Sequence, residues 1–372
     1  MKQDTSNGYH ELIELMVEKQ ASDLHLWVPS PPVLRINGVL TILDQFPAFD
    51  PGTINTVFEK ITTPEQRKTF IDQKELDFSF SIPGLARLRV NAMSQRGSIS
   101  LAFRLIPFNV PTIDELRLPE ICKKLATKPR GLLLITGPTG CGKSTTLAAL
   151  INYLNENEHR TIISIEDPIE YLHANKKCLI AQRELGSDTI SFATALVHAL
   201  RHDPDVLVIG EMRDMETMRT ALTAAETGHL VLGTLHTVDA VQSIHRIVDM
   251  FPHAEQEQVL IQLSQVIEAV LSQTLLPRIG GGRIAAFEVM IANSAIRKLI
   301  RERSVFELPR NMEFSTKEEG MHTLDQDLAE LVKNGLVSAE DAILKSSNPG
   351  KFNQIIQGTV SRFDAMNEYQ PH

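Results

Sequence analysis

A glycine-rich segment, GPTGCGKST at positions 137–145, constrains the fold of this chain more than any other feature. It fits the pattern G-x4-G-K-[ST], follows an apolar run at 132–136 and precedes a helical pattern at 144–154. Glycines let backbone N–H groups curl around phosphates, and the N-terminus of the next helix adds positive potential. The segment therefore predicts a phosphate-binding loop for ATP between a buried strand and a helix.

We expect the whole loop to contact the nucleotide. Lys143 would bring its charge to the β- and γ-phosphate oxygens, and the Ser144 hydroxyl would ligate Mg²⁺. Cys141 is interpreted as a small side chain that fits the loop, in preference to a sensitised thiol, because no second cysteine lies nearby in the sequence. The predicted ATP-binding residues are Gly137, Pro138, Thr139, Gly140, Cys141, Gly142, Lys143, Ser144 and Thr145.

Short apolar runs that alternate with helical patterns predict an α/β domain whose parallel sheet is buried on both faces. Ligands of such sheets bind beyond the carboxyl ends of the strands. Glu166 follows one run and Glu211 follows another, so both acids should face the phosphate loop. We predict that Glu211 orients and deprotonates the attacking water. Glu166 would serve Mg²⁺ through water or act as an alternative base. The runs span 132–136, 161–165, 206–209 and 230–235.

His236 stands at the carboxyl end of the last of these runs. A strand of this length places only one of its ends near the γ-phosphate, and the carboxyl end is the one that faces the loop. We therefore expect His236 to sense the phosphate.

The length of 372 residues favours two domains. Residues 1–106 mix helical and alternating strand patterns, including a hairpin at 34–40, and predict an α+β domain. The proline-rich stretch 107–119 is predicted to be a linker, and 120–358 the α/β domain with a helical C-terminal part. In that part Thr323 and Gln326 form a predicted capping box. The last segment, 359–372, is expected to be a disordered tail.

Composition and charge argue against several functional classes. The net charge of -9 disfavours nucleic acid as the main partner. The apolar runs are too short to cross a bilayer and the N-terminus has no apolar signal core, so a cytoplasmic location is expected. Three cysteines without a C-x-x-C pair argue against a disulfide framework or a cysteine zinc site.

The chain contains several long and specific strings, namely the phosphate loop, ISIEDPIEYLH, DPDVLVIGEMRD, TGHLVLGTLHT, ASDLHL, PGLARLRVNA, CLIAQRE and GGGRIAAFEVM. Together these strings resemble the secretion-type ATPases, and among them the retraction motors of type IV pili. The resemblance implies a PAS-like α+β N-terminal domain, a RecA-like P-loop domain, and a homohexameric ring with ATP between the domains. It implies an enzyme that hydrolyses ATP to drive pilus retraction and twitching motility from the cytoplasmic face of the inner membrane. An inner-membrane platform protein and a second retraction ATPase are the implied partners.

The resemblance also implies roles for single residues. The catalytic glutamate of the family falls on Glu211 and its second acid on Glu166, while arginines donated across domains or subunits match Arg89, Arg104 and Arg201. The chain departs from the family at two positions. Val197 stands where relatives usually carry an arginine, and Lys298 replaces an asparagine in AIRKLIRE at 295–302.

The segment AIRKLIRE predicts an amphipathic helix with one apolar and one basic face. We expect this helix to couple hydrolysis to movement. Charge reversal at Arg297 and Lys298 should then cost the fold little, because exposed charges contribute little to stability.

Other functions stay open at this point. The accessory retraction ATPase of the same machine is disfavoured by the intact GEMRD and the nearly intact AIRNLIRE string. Pilus-extension and type II secretion ATPases usually carry a cysteine zinc module, which three scattered cysteines cannot supply. A nucleotide-gated ring that regulates assembly without turnover is disfavoured by the complete set of acids, and a nucleic-acid translocase by the net charge.

Overall fold

The computed structural model describes residues 8–36, 38–106, 110–315 and 319–358. The chain divides into two compact units, 1–108 and 109–372, a division that falls within the stretch predicted to be a linker. Ile113 and Leu118 of that stretch are buried in the core of the second unit, so this part packs as a piece of that unit. The tail predicted at 359–372 lies outside the described residues.

The first unit is built on a six-stranded antiparallel sheet with the strand order β3-β2-β1-β6-β5-β4. Alternate residues of the long strands, such as Leu88 and Val90, are buried with apolar side chains of the helices. The predicted hairpin is present as β2 and β3, although Asn37 between them lies outside the described residues. The elements are α1 (Gly8–Glu18), β1 (Asp23–Leu26), β2 (Val33–Ile36), β3 (Val39–Ile42), α2 (Pro51–Ile61), α3 (Pro64–Gln73), β4 (Glu75–Ile82), β5 (Ala86–Gln95) and β6 (Ser98–Ile106).

The second unit begins with alternating strands and helices. Its elements up to the end of the sheet are α4 (Ile121–Ala126), β7 (Gly131–Thr136), α5 (Lys143–Asn157), β8 (Thr161–Glu166), β9 (Leu179–Glu184), α6 (Phe192–Ala199), β10 (Val206–Ile209), α7 (Met215–Glu226), β11 (Leu230–Leu235), α8 (Ala240–Asp249), α9 (Gln256–Val266), β12 (Ile267–Pro277) and β13 (Arg283–Ile291). A short 3-10 turn, His253–Glu255, precedes α9.

These strands form one seven-stranded sheet in the order β13-β12-β7-β11-β10-β8-β9. All neighbours run parallel except β12 and β13. Leu132 and Leu134 face one apolar cluster, while Leu133 and Ile135 face another on the opposite side. The predicted α/β class and the four predicted strands are therefore confirmed, because the central strands are covered on both faces.

Three strands of this sheet were not predicted. β9 lies at one edge, and its half-exposed residues give a weak apolar pattern. β12 and β13 extend the other end of the sheet, and polar residues such as Ser272 and Gln273 interrupt the apolar run of β12.

The C-terminal part is helical, as predicted. Thr323 and Gln326 form the predicted capping box at the start of α12. Within the described ranges, no helix combines the length and the apolar character needed to cross a membrane. The helices are α10 (Ser294–Arg301), α11 (Leu308–Glu313), α12 (Leu324–Lys333), α13 (Ala339–Ile343) and α14 (Pro349–Ile356), with a 3-10 turn at Val305–Glu307.

The expectation for helix α10 was wrong in one respect. Ile296 and Ile300 are buried as predicted, but the Arg297 side chain is only 26% exposed. Its guanidinium donates to the carbonyls of Ser264 and Gln265 at 3.0 and 2.7 Å, and to Glu268 at 2.8 Å. Charge reversal at Arg297 would therefore break contacts with the end of α9, which packs against the face predicted to be free.

Candidate active site

The phosphate loop connects β7 to α5 and is shaped by the strand beside it. An added Cβ at Gly137 would lie 2.3 Å from the carbonyl oxygen of Gln273 and 2.6 Å from the Cys141 sulfur, so only glycine fits. Gly142, the residue before the helix, has a φ of 93°, which glycine adopts without strain. The Gln273 side chain donates to the Cys141 carbonyl at 2.7 Å. The loop is thus held from below by β12.

Lys143 lies folded over this loop. Its ammonium donates to the carbonyls of Gly137 at 2.8 Å and Pro138 at 3.1 Å, and the side chain is buried. Burial also raises the pKa of the Cys141 thiol above its usual range, against the opposing Lys143 charge. Cys141 is thus a packed small side chain, in line with its interpretation from the sequence.

Glu211 lies two residues beyond β10 and contacts the residue that follows β11. The His236 Nε2 is 2.8 Å from the Glu211 carboxylate, and Arg213 donates to the same oxygen. The other ring nitrogen of His236 is 3.4 Å from the Thr139 hydroxyl of the phosphate loop. The Thr234 hydroxyl holds the Gly210 carbonyl at 2.5 Å. The structure therefore joins the predicted base, the predicted sensor and the loop.

The charge state of Glu211 follows from these contacts. Burial raises its pKa, but the Arg213 hydrogen bond and the charges of His236 and Arg213 more than offset that effect, so the pKa lies below the ordinary glutamate value. Glu211 is therefore ionised at neutral pH and can accept a proton.

Glu166 ends β8, the strand beside β10, and has a different environment. Its carboxylate accepts hydrogen bonds from Ser164 at 2.8 Å and Gln182 at 3.0 Å. Burial nevertheless raises its pKa above the ordinary value. Gly210, on the neighbouring strand, packs so closely that an added Cβ would lie 3.1 Å from the Glu166 Cα.

The remaining loop residues are placed as follows. Ser144 and Thr145 lie in the first turn of α5, which follows β7. The Thr145 hydroxyl is 3.0 Å from the Tyr171 hydroxyl, in the segment after Glu166. Gly140 has a φ of 80° in the middle of the loop.

The three predicted arginines are divided between the two units. Arg89 and Arg104 belong to the first unit, where they lie directly opposite each other on β5 and β6. Arg104 pairs with Asp23 at 2.8 Å, and Arg89 with Asp77 at 3.9 Å. Arg201 follows α6 in the second unit and is exposed, and its side chain makes no ion pair with either acid within the described residues. Their predicted roles stay predictions.

Two groups near the site, the half-buried Gln182 and the buried Glu288, were missed by sequence reasoning. Gln182 on β9 contacts Glu166, as described above. Glu288 on β13 accepts from the backbone N–H of Ala240 at 2.8 Å, where α8 begins after the His236 segment. Burial, with smaller contributions from Asp239 and Asp325, raises the pKa of Glu288 to about 7. Glu288 is the only acid in the apolar run 284–291, and this isolation could have indicated a buried carboxyl group.

A cavity of about 250 Å³ opens beside Glu211 and His236. Three side chains that can carry positive charge and one carboxylate border it, next to the phosphate loop. Such a cavity can admit water to the Glu211 carboxylate, and His236 at its edge contacts Thr139 of the phosphate loop. Its lining residues are Glu211, Met212, Arg213, Leu235, His236, Thr237 and Arg246.

Comparison with known proteins decides the family. The family described as Type II/IV secretion system protein matches residues 77–281, more than half of the chain. The chain belongs to this family. It is a P-loop ATPase of the family, with the α/β fold that the resemblance implied.

Several relatives cover almost the whole chain. The type IV pilus retractation ATPase PilT of Pseudomonas aeruginosa PAO1 is 48% identical over 92% of this chain and 99% of its own length. The type IV pilus ATPase PilU of the same organism is 43% identical over 94% of this chain and 91% of its own. Among solved structures, the pilus retraction motor PilT with bound ADP has a TM-score of 0.86 and 46% identity, covering 92% of this chain and 98% of that one.

Proposed function

We propose that this protein is the ATP-hydrolysing motor of type IV pilus retraction, working as a homohexameric ring. The observation that carries the proposal is the ionised Glu211 held by His236 beside a complete phosphate loop, in a chain that matches a retraction ATPase along almost its whole length. The PilT and PilU relatives are both named as type IV pilus ATPases, and in this proposal the ring powers twitching motility.

The residues divide the chemistry between them. The loop N–H groups and Lys143 bind the β- and γ-phosphates, and Glu211 accepts the proton of the attacking water. His236 lies between Glu211 and the loop, so it can relay the presence of the γ-phosphate to the base. The lowered pKa of Glu211 and the raised pKa of Glu166 favour Glu211 as the base, since only Glu211 is held in the charged form by its neighbours.

The residues around Glu166 fit a magnesium ion. A hydroxyl at Ser144 and a carboxylate at Glu166 are oxygen donors of the kind that Mg²⁺ prefers, and Glu166 is a partly buried acid whose burial opposes its charge. When bound, Mg²⁺ would neutralise phosphate charge. Glu166, through water, and Ser144 would hold it.

The assembly completes the site in this proposal. Arg89, Arg104 and Arg201 would supply planar positive charge to the transferring phosphoryl group across domains or subunits. The ring would act at the cytoplasmic face of the inner membrane on a platform protein, with a second retraction ATPase as a further partner. An accessory role of the PilU type is the second candidate, since the PilU relative matches 94% of this chain.

Steady-state ATPase and cell motility together test the proposal. Lys143→Ala should abolish nucleotide binding, because it removes the cation from the cradle. Glu211→Gln should keep binding and lower kcat by on the order of 10²–10⁴-fold, because it keeps the shape and removes the base. Cells that carry only the Glu211→Gln protein should keep pili and lose twitching. Turnover by Glu211→Gln near the wild-type rate would transfer the base role to Glu166. Retraction that persists without this gene would favour the accessory role.

A further inference from the structure

Gln182, on the edge strand β9, connects Glu166 with the segment that follows it. The Gln182 amide nitrogen donates to Glu166 at 3.0 Å and to the Tyr171 carbonyl at 2.8 Å. Its amide oxygen accepts from the backbone N–H of His173 at 2.9 Å. These contacts use both amide hydrogens and the oxygen, so the orientation of the side chain is determined.

The contact with Glu166 has a clear geometric consequence. The Ser164 hydroxyl and the Gln182 amide donate to the same carboxylate oxygen, one from the strand that carries Glu166 and one from its neighbour. Two donors on one oxygen restrict the rotation of the carboxylate. The partly buried carboxylate is therefore held in one direction before any ligand binds.

The segment after Glu166 reaches the phosphate loop. The Tyr171 hydroxyl is 3.0 Å from the Thr145 hydroxyl, in the first turn of α5. Gln182 holds the backbone of this segment at Tyr171 and His173, so the same side chain orients the acid and keeps the segment against the loop.

We propose that Gln182 is a positioning residue of the ATP site, which orients the Glu166 carboxylate toward the phosphate loop. The proposal rests on the role given to Glu166 in the proposed function. Side chains that orient a ligand of a metal site affect metal affinity or activity by ~10–100-fold when replaced. A purely structural role, in which Gln182 only fastens the backbone after Glu166, predicts instead that its loss acts like the loss of another residue that fastens this segment.

The chain offers a matched control for that structural role. Asn155 on α5 fastens the later half of the same segment through another amide side chain. It donates to the Ala174 carbonyl at 2.7 Å, and it accepts from the N–H groups of Lys176 at 3.0 Å and Cys178 at 3.3 Å. Its hydrogen bonds within the described residues do not include Glu166.

The decisive variants are Gln182→Glu and Asn155→Asp. Each keeps an oxygen that can accept from the segment's N–H groups and loses the amide donor, so the two changes are chemically alike. Gln182→Met, which removes both functions of the amide, and Glu166→Gln complete the set. Asn175→Ala replaces Asn155→Asp if the latter does not fold, since Asn175 accepts from Ile180 N–H in the same region.

Three measurements distinguish orientation of the Glu166 carboxylate from fastening of the backbone segment that follows it. The first is kcat and KM for ATP. The second is the Mg²⁺ concentration for half-maximal binding of a fluorescent ATP analogue, which needs no turnover. The third is the rate of tryptic cleavage at Lys176 and Lys177, which are exposed in the segment that Asn155 fastens.

We expect Gln182→Glu and Gln182→Met to lower kcat by ~10–100-fold and to raise the Mg²⁺ midpoint, with the KM for ATP changed less than about threefold. Asn155→Asp should speed tryptic cleavage and leave kcat within about threefold of wild type. Glu166→Gln should resemble the Gln182 variants.

Wild-type kcat and Mg²⁺ midpoint in Gln182→Met would overturn the proposal, and so would an equal loss of kcat in Asn155→Asp. A wild-type chain that binds the analogue without turnover would contradict the proposed function instead. The Mg²⁺ midpoints of the Gln182 and Asn155 variants would still decide the role of Gln182 in that case.

Discussion

Gly210 lies where the chain leaves β10, and its lack of a side chain allows a close approach to Glu166 on β8. The position lies next to the Cα of Glu166 on the neighbouring strand, where an added Cβ would be 3.1 Å away. A side chain at 210 would therefore crowd the backbone of β8 at Ile165 and Glu166. The neighbouring strands instead supply one acid each, Glu166 in a raised-pKa environment and Glu211 in a lowered one. Their different environments suit different tasks.

Val197 is an uncharged residue at a position where relatives usually carry an arginine. It is 42% exposed on α6, one helical turn before Arg201. An arginine there would extend into solvent without displacing the core. We predict that Val197→Arg keeps the thermal stability of the wild type and an equal or higher kcat. A large loss of kcat in steady-state assays would contradict this, whereas Arg201→Ala should lower kcat with little effect on nucleotide binding.

Glu288 makes the stability of the fold depend on pH. Its pKa is raised to about 7 in the folded protein by burial, so the folded state holds this proton more tightly than the unfolded state. This contribution is fully present below the unfolded glutamate pKa of about 4.5 and is lost as pH rises through about 7. The difference amounts to roughly 3 kcal/mol.

We predict that Glu288→Gln removes this part of the pH dependence. Denaturant unfolding at pH 5 and pH 8 should show a smaller fall in stability for Glu288→Gln than for wild type, because the amide does not titrate. Gln can still accept from Ala240 N–H, so stability at pH 5 should change little. Parallel pH profiles for the two proteins would show that Glu288 does not carry the effect.

At the scale of elements, the strands around the phosphate loop could be predicted and the outer ones could not. The runs at 132–136 and 206–209 are fully buried and continuous, which is the pattern of a central parallel strand. The edge strand β9 and the polar β12 lack that pattern. Gln182, Gln273 and Glu288 act only through partners distant in sequence, so no local pattern could reveal them.

Helix α10 separates two kinds of basic residue. Arg297 caps the end of α9 and pairs with Glu268, whereas Lys298 and Arg301 are exposed. We predict that Lys298→Glu with Arg301→Glu leaves ATPase activity within about twofold, since exposed charges contribute little to the fold, and stops twitching in cells that keep their pili.

Arg297→Glu is the matching control on the same helix. It should lower the free energy of unfolding by roughly 2–3 kcal/mol, because it breaks charge-assisted hydrogen bonds and brings two carboxylates together. If the exposed double variant loses ATPase activity in step with twitching, α10 belongs to the catalytic ring and not to the coupling surface.

At the scale of the whole molecule, the ring proposal predicts that subunits depend on one another. Arginines donated between subunits would make each site incomplete without its neighbour. Mixing wild-type and Glu211→Gln subunits should therefore lower ATPase activity more steeply than the fraction of variant subunits. A strictly proportional fall, with mixed rings verified by mass, would indicate independent sites.

The phosphate loop is supported by a strand that lies far along the chain. β7, which leads into the loop, pairs with β11 and β12, and the loop itself rests on Gln273. During synthesis these partners leave the ribosome more than eighty residues after the loop. The nascent loop, with its glycines and apolar flanks, must therefore wait without the structure that shapes it for phosphate. Newly made chains would acquire affinity for nucleotide late, as one event with completion of the sheet, which keeps unfinished motors from binding the cell's ATP.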